Sequence, residues 1–382
     1  MLRVAIVGCG KVADQHAAAI RRVRDCQVVA LCDRELLMAK QLGERCHISQ
    51  CFSDVDEMLQ SATPQAVHIT TPPQSHFQLA RQCLEFGSHV YIEKPFTVTA
   101  AEAEHLIQLA EQRQLKVTAG HNYQFTLEMM EMRRLVEKGF LGGPPTHVES
   151  YWSYDLGDIS YVGPMVSNPD HWVRRLPGQL FHNLISHGLA KVAEFLDDDI
   201  TEIVATAHQS SQLGQLRAKE VLDELRVLIR DKNGTTAFFC FSTQIKGVNQ
   251  LRIFGPSGSI TADIITGTAV RKSSRAYKSY LTYFIPPLQD AKEYLRNAAF
   301  SVSNFLSRRL YQDFGMKELV ERFYRSIQDE AAVPIPYREI ILVARLMDRI
   351  FEQIYPDGRQ EGFNDGMSSV HCSNALSLFA RK

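Results

Sequence analysis

A chain of 382 residues is too long for one hydrophobic core, so two domains are expected. A composition of 45% hydrophobic and 22% charged residues excludes a disordered chain, and a net charge of −1 gives no electrostatic case for nucleic acid. No apolar run is long enough to span a bilayer, and MLRVAIVGCG enters a strand-like run with no leader signature, so a cytoplasmic protein without an integral membrane segment is expected.

In chain order, LRVAIVG, QVVALCD, AVHIT, HVYIEK and LKVTAG read as short apolar strands. Helical patterns separate them at residues 12–23, 35–45, 74–86 and 99–113. This alternation predicts an α/β, doubly wound parallel sheet covered on both faces. A helix over 126–138 follows, then strand-like runs at 146–153, 201–208, 222–230, 235–243 and 249–254. Asn233-Gly234 joins two of these as a hairpin. Consecutive strands without helices between them predict a largely antiparallel open sheet in an α+β unit. The expected boundaries are 1–122 and 123–355, with helices near 316–355 packing back on the first unit and a mobile tail over 356–382. The eight cysteines lack C-x-x-C spacing, and the loose group Cys46, His47 and Cys51 fits no usual site, so no metal is expected.

The turn after the first strand is Gly8-Cys9-Gly10-Lys11-Val12-Ala13, a G-x-G-x-x-A between a strand and a helix. Gly8 permits the tight turn, Gly10 admits a pyrophosphate close to the backbone, and small Ala13 lets the helix approach the sheet. The start of that helix supplies free N–H groups for phosphate. Asp33 ends the second strand, where an acid can bind ribose hydroxyls. A dinucleotide site of the Rossmann type is expected. Asp33 favours NAD(H), because it repels a 2′-phosphate; the neighbouring Arg34 could accept one and leaves NADP(H) open.

Four segments in succession, VAIVGCGKVADQH, HITTPPQSHFQLA, VYIEKPF and AGHNYQF, resemble the signatures of the Gfo/Idh/MocA oxidoreductase family. The resemblance is close over the first 125 residues and looser through 176–196, 254–263 and the last helices. It implies an NAD(P)-dependent enzyme that interconverts a secondary alcohol and a ketone on a sugar, nucleotide sugar or cyclitol. It implies that Lys94 lies near nicotinamide and substrate, often before a cis peptide bond to Pro95. It also implies cofactor contacts from Thr70, Thr71, Pro72, His76, Glu93 and Asn122, and a homodimer or homotetramer formed through the second sheet.

Asn183 and His187 lie four residues apart, on one face if the segment is helical. The family usually has aspartate where this chain has Asn183, and an amide cannot act as a base. His187 is therefore expected to exchange the proton near neutrality, with Asn183 orienting it or binding a substrate hydroxyl and Lys94 stabilising charge on the oxygen. Tyr123, His171, Trp172 and Arg174 are further candidates for substrate contact, the arginines of this loop hinting at an anionic or nucleotide-linked sugar. The missing aspartate keeps a non-enzymatic dinucleotide-binding regulator as the alternative. Residues 271–310 are basic, and Leu288, Leu295, Val302 and Phe305 within them follow helical spacing. That helix is expected to cover the protein's own core or a subunit contact, with an anionic membrane surface as the alternative.

Overall fold

The apolar runs of the first third become strands β1 (Leu2–Val7), β2 (Cys26–Cys32), β3 (Cys51–Phe52), β4 (Ala66–Ile69), β5 (His89–Ile92) and β6 (Val117–Ala119). Between them run helices α1 (Lys11–Arg21), α2 (Leu36–Cys46), α3 (Val55–Ala62), α4 (His76–Phe86) and α5 (Ala100–Gln112). The computed structural model describes residues 1–155, 165–166, 168, 170–211, 213, 221–307 and 313–356. All six strands pair in parallel in the order β3-β2-β1-β4-β5-β6. Every residue of β4 is buried, as expected of a strand with helices on both faces. β3 and α3 are additions to the expected elements. β3 is too short to show a period, but α3 carries a start signal: the Asp54 carboxylate accepts the Glu57 N–H at 2.9 Å.

The second half contains α6 (Leu127–Glu137), β7 (His147–Ser153), α7 (Gln179–Leu184), α8 (Ser186–Ala193), β8 (Ile200–His208), β9 (Glu224–Asp231) and β10 (Thr236–Ser242). It continues with β11 (Asn249–Gly255), β12 (Gly258–Asp263), β13 (Thr268–Ser273), α9 (Leu281–Leu306), α10 (Phe314–Gln328) and α11 (Tyr337–Ile354). Its sheet runs β13-β12-β11-β7-β10-β9-β8, antiparallel except for the parallel pair β7–β10. The expected hairpin joins β9 to β10, with Gly234 at φ +85°. β12 and β13 also lie outside the expected strands. Only glycine fits at 258, where a Cβ would stand 2.4 Å from the Lys272 carbonyl oxygen.

Each sheet has its own hydrophobic core. Helix α10 returns to the first one through Leu319, Phe323 and Tyr324. Helix α11 enters both: Ile340 belongs to the first core, and Leu346, Ile350 and Phe351 to the second. The Asp348 carboxylate accepts the Ala100 N–H at 2.8 Å, fixing α11 against the start of α5. The expected tail beyond Pro356 lies outside the described residues.

One element departs from the first of its two expected placements, against the protein's own core. Helix α9 buries Glu293, Asn297 and Asn304, and exposes Leu288 (69%), Leu295 (73%) and Phe305 (67%). Its apolar stripe does not cover the protein's own core. The polar side holds it down: Asn297 donates to the Ala269 carbonyl and accepts the Ala269 N–H on edge strand β13.

Candidate active site

The turn between β1 and α1 is built as its residues require. Gly8 has φ +93°, and a Cβ there would lie within 2.9 Å of the Thr70–Thr71 backbone. The Thr70 hydroxyl donates to the Gly8 carbonyl at 2.5 Å, tying the loop after β4 to this turn. A Cβ on Gly10 would meet nothing within 4 Å. Ala13 is fully buried in the first core, while Lys11 and Val12 form the first turn of α1. The Asp33 carboxylate accepts N–H groups from Cys9 (2.7 Å) and Glu35 (3.0 Å), which fixes it at the end of β2 beside Arg34. Gly8, Gly10, Asp33, Arg34, Thr71 and Pro72 line one crevice of about 910 Å³. The open space before Gly10, the N–H groups of α1 and the fixed acid suit a dinucleotide.

His171, Trp172 and Arg175 line the same crevice from the second half of the chain. The Trp172 carbonyl accepts from the Gln74 amide at 2.9 Å, which holds this loop over the cofactor side. Arg174 turns instead towards the Val166 carbonyl, 3.5 Å away, and is absent from the crevice walls. His76 is also elsewhere. It is fully buried, with one ring nitrogen 2.9 Å from the Pro95 carbonyl and the other 2.8 Å from that of Thr71. It fastens two loops together.

Lys94 follows β5, and its bond to Pro95 is cis. Its ammonium donates to the Asn183 backbone carbonyl at 3.0 Å and to the Asn183 amide oxygen at 3.3 Å. Asn183 therefore meets Lys94, a contact beyond the two expected roles of orienting His187 or binding a substrate hydroxyl. Asn183 lies one residue before the end of α7, His187 is the second residue of α8, and the helix is interrupted at Ile185. The His187 ring packs edge-on against Tyr123, 4.7 Å between centroids, and lies 5.5 Å from Trp152. Burial, and after it the neighbouring Lys94, His121 and Lys191, hold the His187 pKa well below the usual 6.5. These effects favour the neutral, proton-accepting form of the imidazole. Burial also lowers the Lys94 pKa, opposed by the carboxylate of Glu93.

Glu93 is turned inward. Its carboxylate meets His16 Nε2 at 2.9 Å and accepts the Lys94 N–H at 3.0 Å. His16 meets His68 at 2.8 Å, and His68 meets the Tyr324 hydroxyl at 2.8 Å. One assignment of protons satisfies the whole chain: Tyr324 donates to His68, His68 to His16, and His16 to Glu93. Burial pushes the Glu93 carboxyl up, but His16 and Lys94 outweigh it and hold the pKa below normal. Asn122 opens the 3₁₀ turn after β6, beside His121.

Two side chains beside this site were not singled out. His121 is buried, its ring 6.1 Å from that of His187, and burial pushes its pKa down to about 4. Lys191 is fully buried, four residues after His187, with its ammonium 4.8 Å from the Trp152 ring centre. Burial lowers its pKa to about 7, against the attraction of Glu128 and Asp263. The sequence signal for Lys191 is a lone lysine in the otherwise apolar GLAKVA.

Residues 2–121 match the model of the oxidoreductase family with an NAD-binding Rossmann fold, and residues 129–261 match the GFO/IDH/MocA C-terminal domain. This chain belongs to the Gfo/Idh/MocA family. It is an NAD(P)-dependent dehydrogenase or reductase, and its first half binds a nicotinamide cofactor. It is 22% identical to a myo-inositol 2-dehydrogenase of Thermotoga maritima over 80% of this chain and 89% of that one. A UDP-N-acetylglucosamine 3-dehydrogenase from Acidithiobacillus ferrooxidans has the same fold, with TM-score 0.70, 19% identity, and coverage of 93% of this chain and 98% of that one. So does the WlbA dehydrogenase from Bordetella pertussis, solved with NADH and UDP-GlcNAcA, at TM-score 0.72 and 15% identity over 93% and 96%.

Proposed function

We propose that this enzyme interconverts a secondary alcohol and a ketone on a sugar-like substrate, with Lys94 and His187 as the charge-stabilising and proton-carrying groups. In this reading residues 1–122 hold the cofactor and 123–355 the substrate. The observation that carries it is the meeting of Lys94, at the carboxyl end of β5, with Asn183 and His187 on two helices of the other half. When bound, the nicotinamide accepts or delivers the hydride. In the oxidising direction the neutral His187 imidazole takes the proton of the substrate hydroxyl, for which a lowered pKa leaves it in the accepting form. The Lys94 ammonium, held by both Asn183 oxygens, stabilises negative charge on that oxygen. Tyr123 and Trp152 wall the His187 ring, and an apolar wall strengthens the electrostatics beside it.

The fixed Asp33 carboxylate supports NAD(H) over NADP(H). His171, Trp172 and Arg175 above the crevice favour a nucleotide sugar among sugar-like substrates, since they offer rings for stacking and a cation for phosphate. The proteins named above act on myo-inositol or UDP-sugars, which agrees with this class. Exposed Val204 and Leu228 on the outer face of the second sheet suit a homo-oligomeric contact there.

The test is to purify the native protein, read retained nicotinamide by absorbance, and screen nucleotide sugars and cyclitols for reduction or oxidation of that cofactor. Turnover of a UDP-sugar or a cyclitol is expected; redox change with neither, but with another alcohol, rejects the substrate class. Lys94→Ala is expected to lower kcat by about 10²–10³-fold with cofactor affinity little changed. Equal turnover in that variant removes the role of Lys94.

A further inference from the structure

The inverted polarity of α9 points to a surface that the rest of the chain does not provide. On a helical wheel, Tyr283, Phe284, Leu288, Leu295, Val302 and Phe305 fall within an arc of about 140°. Their side chains are exposed, between 58% and 75%. The opposite side is polar and anchored. Glu293 pairs with Arg271 and Arg296, and Asn297 bonds the backbone of β13. These bonds fix the rotation of the helix, so the apolar arc faces outward whenever α9 is docked. Burying it inward would leave the two side chains without these partners and the edge of β13 without its side-chain bonds.

The charge around this arc identifies what covers it. Among the described residues, 271–307 hold six lysines and arginines against two acidic residues, in a chain whose net charge is −1. Arg275 and Lys278 stand exposed just before the helix, and exposed Lys292 flanks the arc. Tyr280, Tyr283 and Tyr294 are exposed at 59% or more, and a tyrosine carries an apolar ring with a polar tip suited to a lipid headgroup boundary. A second copy of α9 fits less well. Leu281, Leu288, Leu295 and Val302 do recur every seven residues, but Tyr294, Ala299 and Leu306 stand where a paired coil needs charges. The arc is also wider than a coiled-coil seam, and Pro286-Pro287 interrupt the first repeat. Among the described residues no helix is long and apolar enough to cross a membrane, so α9 would lie in the headgroup plane.

We propose that α9 is a membrane-docking helix that binds the protein to the surface of an anionic bilayer. Its length of about 39 Å would lie parallel to that surface. Its aromatic and leucine side chains would enter the acyl boundary while the basic residues meet anionic headgroups.

The test is flotation of the full-length protein with vesicles of phosphatidylcholine alone and of phosphatidylcholine mixed with phosphatidylglycerol. The mixed vesicles are expected to float about tenfold more protein, with the bound fraction falling as salt is raised. Leu288→Glu with Leu295→Glu is expected to cut that fraction about tenfold or more, with NAD(H) affinity unchanged as the check on folding. Arg275→Gln with Lys278→Gln, both outside the helix, is expected to weaken binding and flatten its salt dependence. The proposal is overturned if the wild-type protein floats with neither vesicle, or if the paired glutamates leave flotation unchanged. It is also overturned if wild-type protein ignores vesicles while the paired glutamates split an oligomer in sedimentation, which assigns the face to a second copy.

Discussion

Lys191 is an ammonium in the second core, and its folded pKa of about 7 lies well below the 10.5 of a solvated lysine. Between those values the unfolded chain binds the extra proton and the native chain does not, so native stability should rise with pH across that window. Below about 7 the charged form persists in both states and the full burial penalty is present. Lys191→Met should therefore flatten stability between pH 7 and 10 and raise it at pH 7 by roughly 1–4 kcal/mol; denaturant titrations at several pH values measure this, and an unchanged slope removes Lys191 as its source. His187 gives a separate prediction. Its depressed pKa places the acid limb of kcat/KM below the 6.5 of free imidazole. His187→Gln should lower kcat/KM by about 10²–10⁴-fold and abolish that limb. A limb that survives the substitution moves the proton to another group, with His121 and Lys191 the nearest candidates. His187 could be picked out in the sequence because its free pKa suits proton exchange; its working pKa was not legible, because that depends first on burial in the folded chain and then on groups brought from the ends of β5 and β6. Glu93 shows a similar limit: only the folded chain shows that His16 meets its carboxylate and that His68 in turn meets His16.

At the scale of elements, α8 packs on the second sheet through a glycine. A Cβ on Gly188 would come within 2.4 Å of the Phe239 ring and 3.2 Å of Trp152. Gly188→Ala should cost about 1–3 kcal/mol and displace the ring wall beside His187, so kcat should fall along with the denaturation midpoint. Loss of stability with full kcat would separate the packing from the site. The alternating strands and helices of the first half were readable because buried parallel strands are short apolar runs bounded by turn residues. The two-residue β3 carries no period, and the Asp54–Glu57 start of α3 was legible but overlooked. Ser259–Asp263 of β12 alternate polar and apolar and carry a legible signal, whereas TAVRKS of β13 does not alternate. α9 shows a firmer limit: its helical period was plain, but a stripe does not state which way it faces. That is decided by the bonds of Asn297 and Glu293 to residues outside the helix.

Taken as a whole, the molecule joins its halves through side chains that neither half could place alone. Lys94 reaches Asn183, Gln74 reaches Trp172, and α11 serves both cores. The Phe351 ring fills the space beside Gly178, where a Cβ would lie 2.1 Å from it, and stacks on His182 at 5.1 Å. Phe351→Ala should destabilise by about 3–5 kcal/mol, since it empties a packed site at the start of α7. Two probes, one near each sheet, should still report one transition in denaturant; transitions that separate would show the halves to be independent. Residues 337–354 are the last described helix, yet they complete a layer of the first core as well as of the second. A ribosome must therefore have made nearly the whole chain before the nucleotide-binding half gains its final packing surface. A stop codon anywhere upstream of α11 strips packing surface from both cores at once.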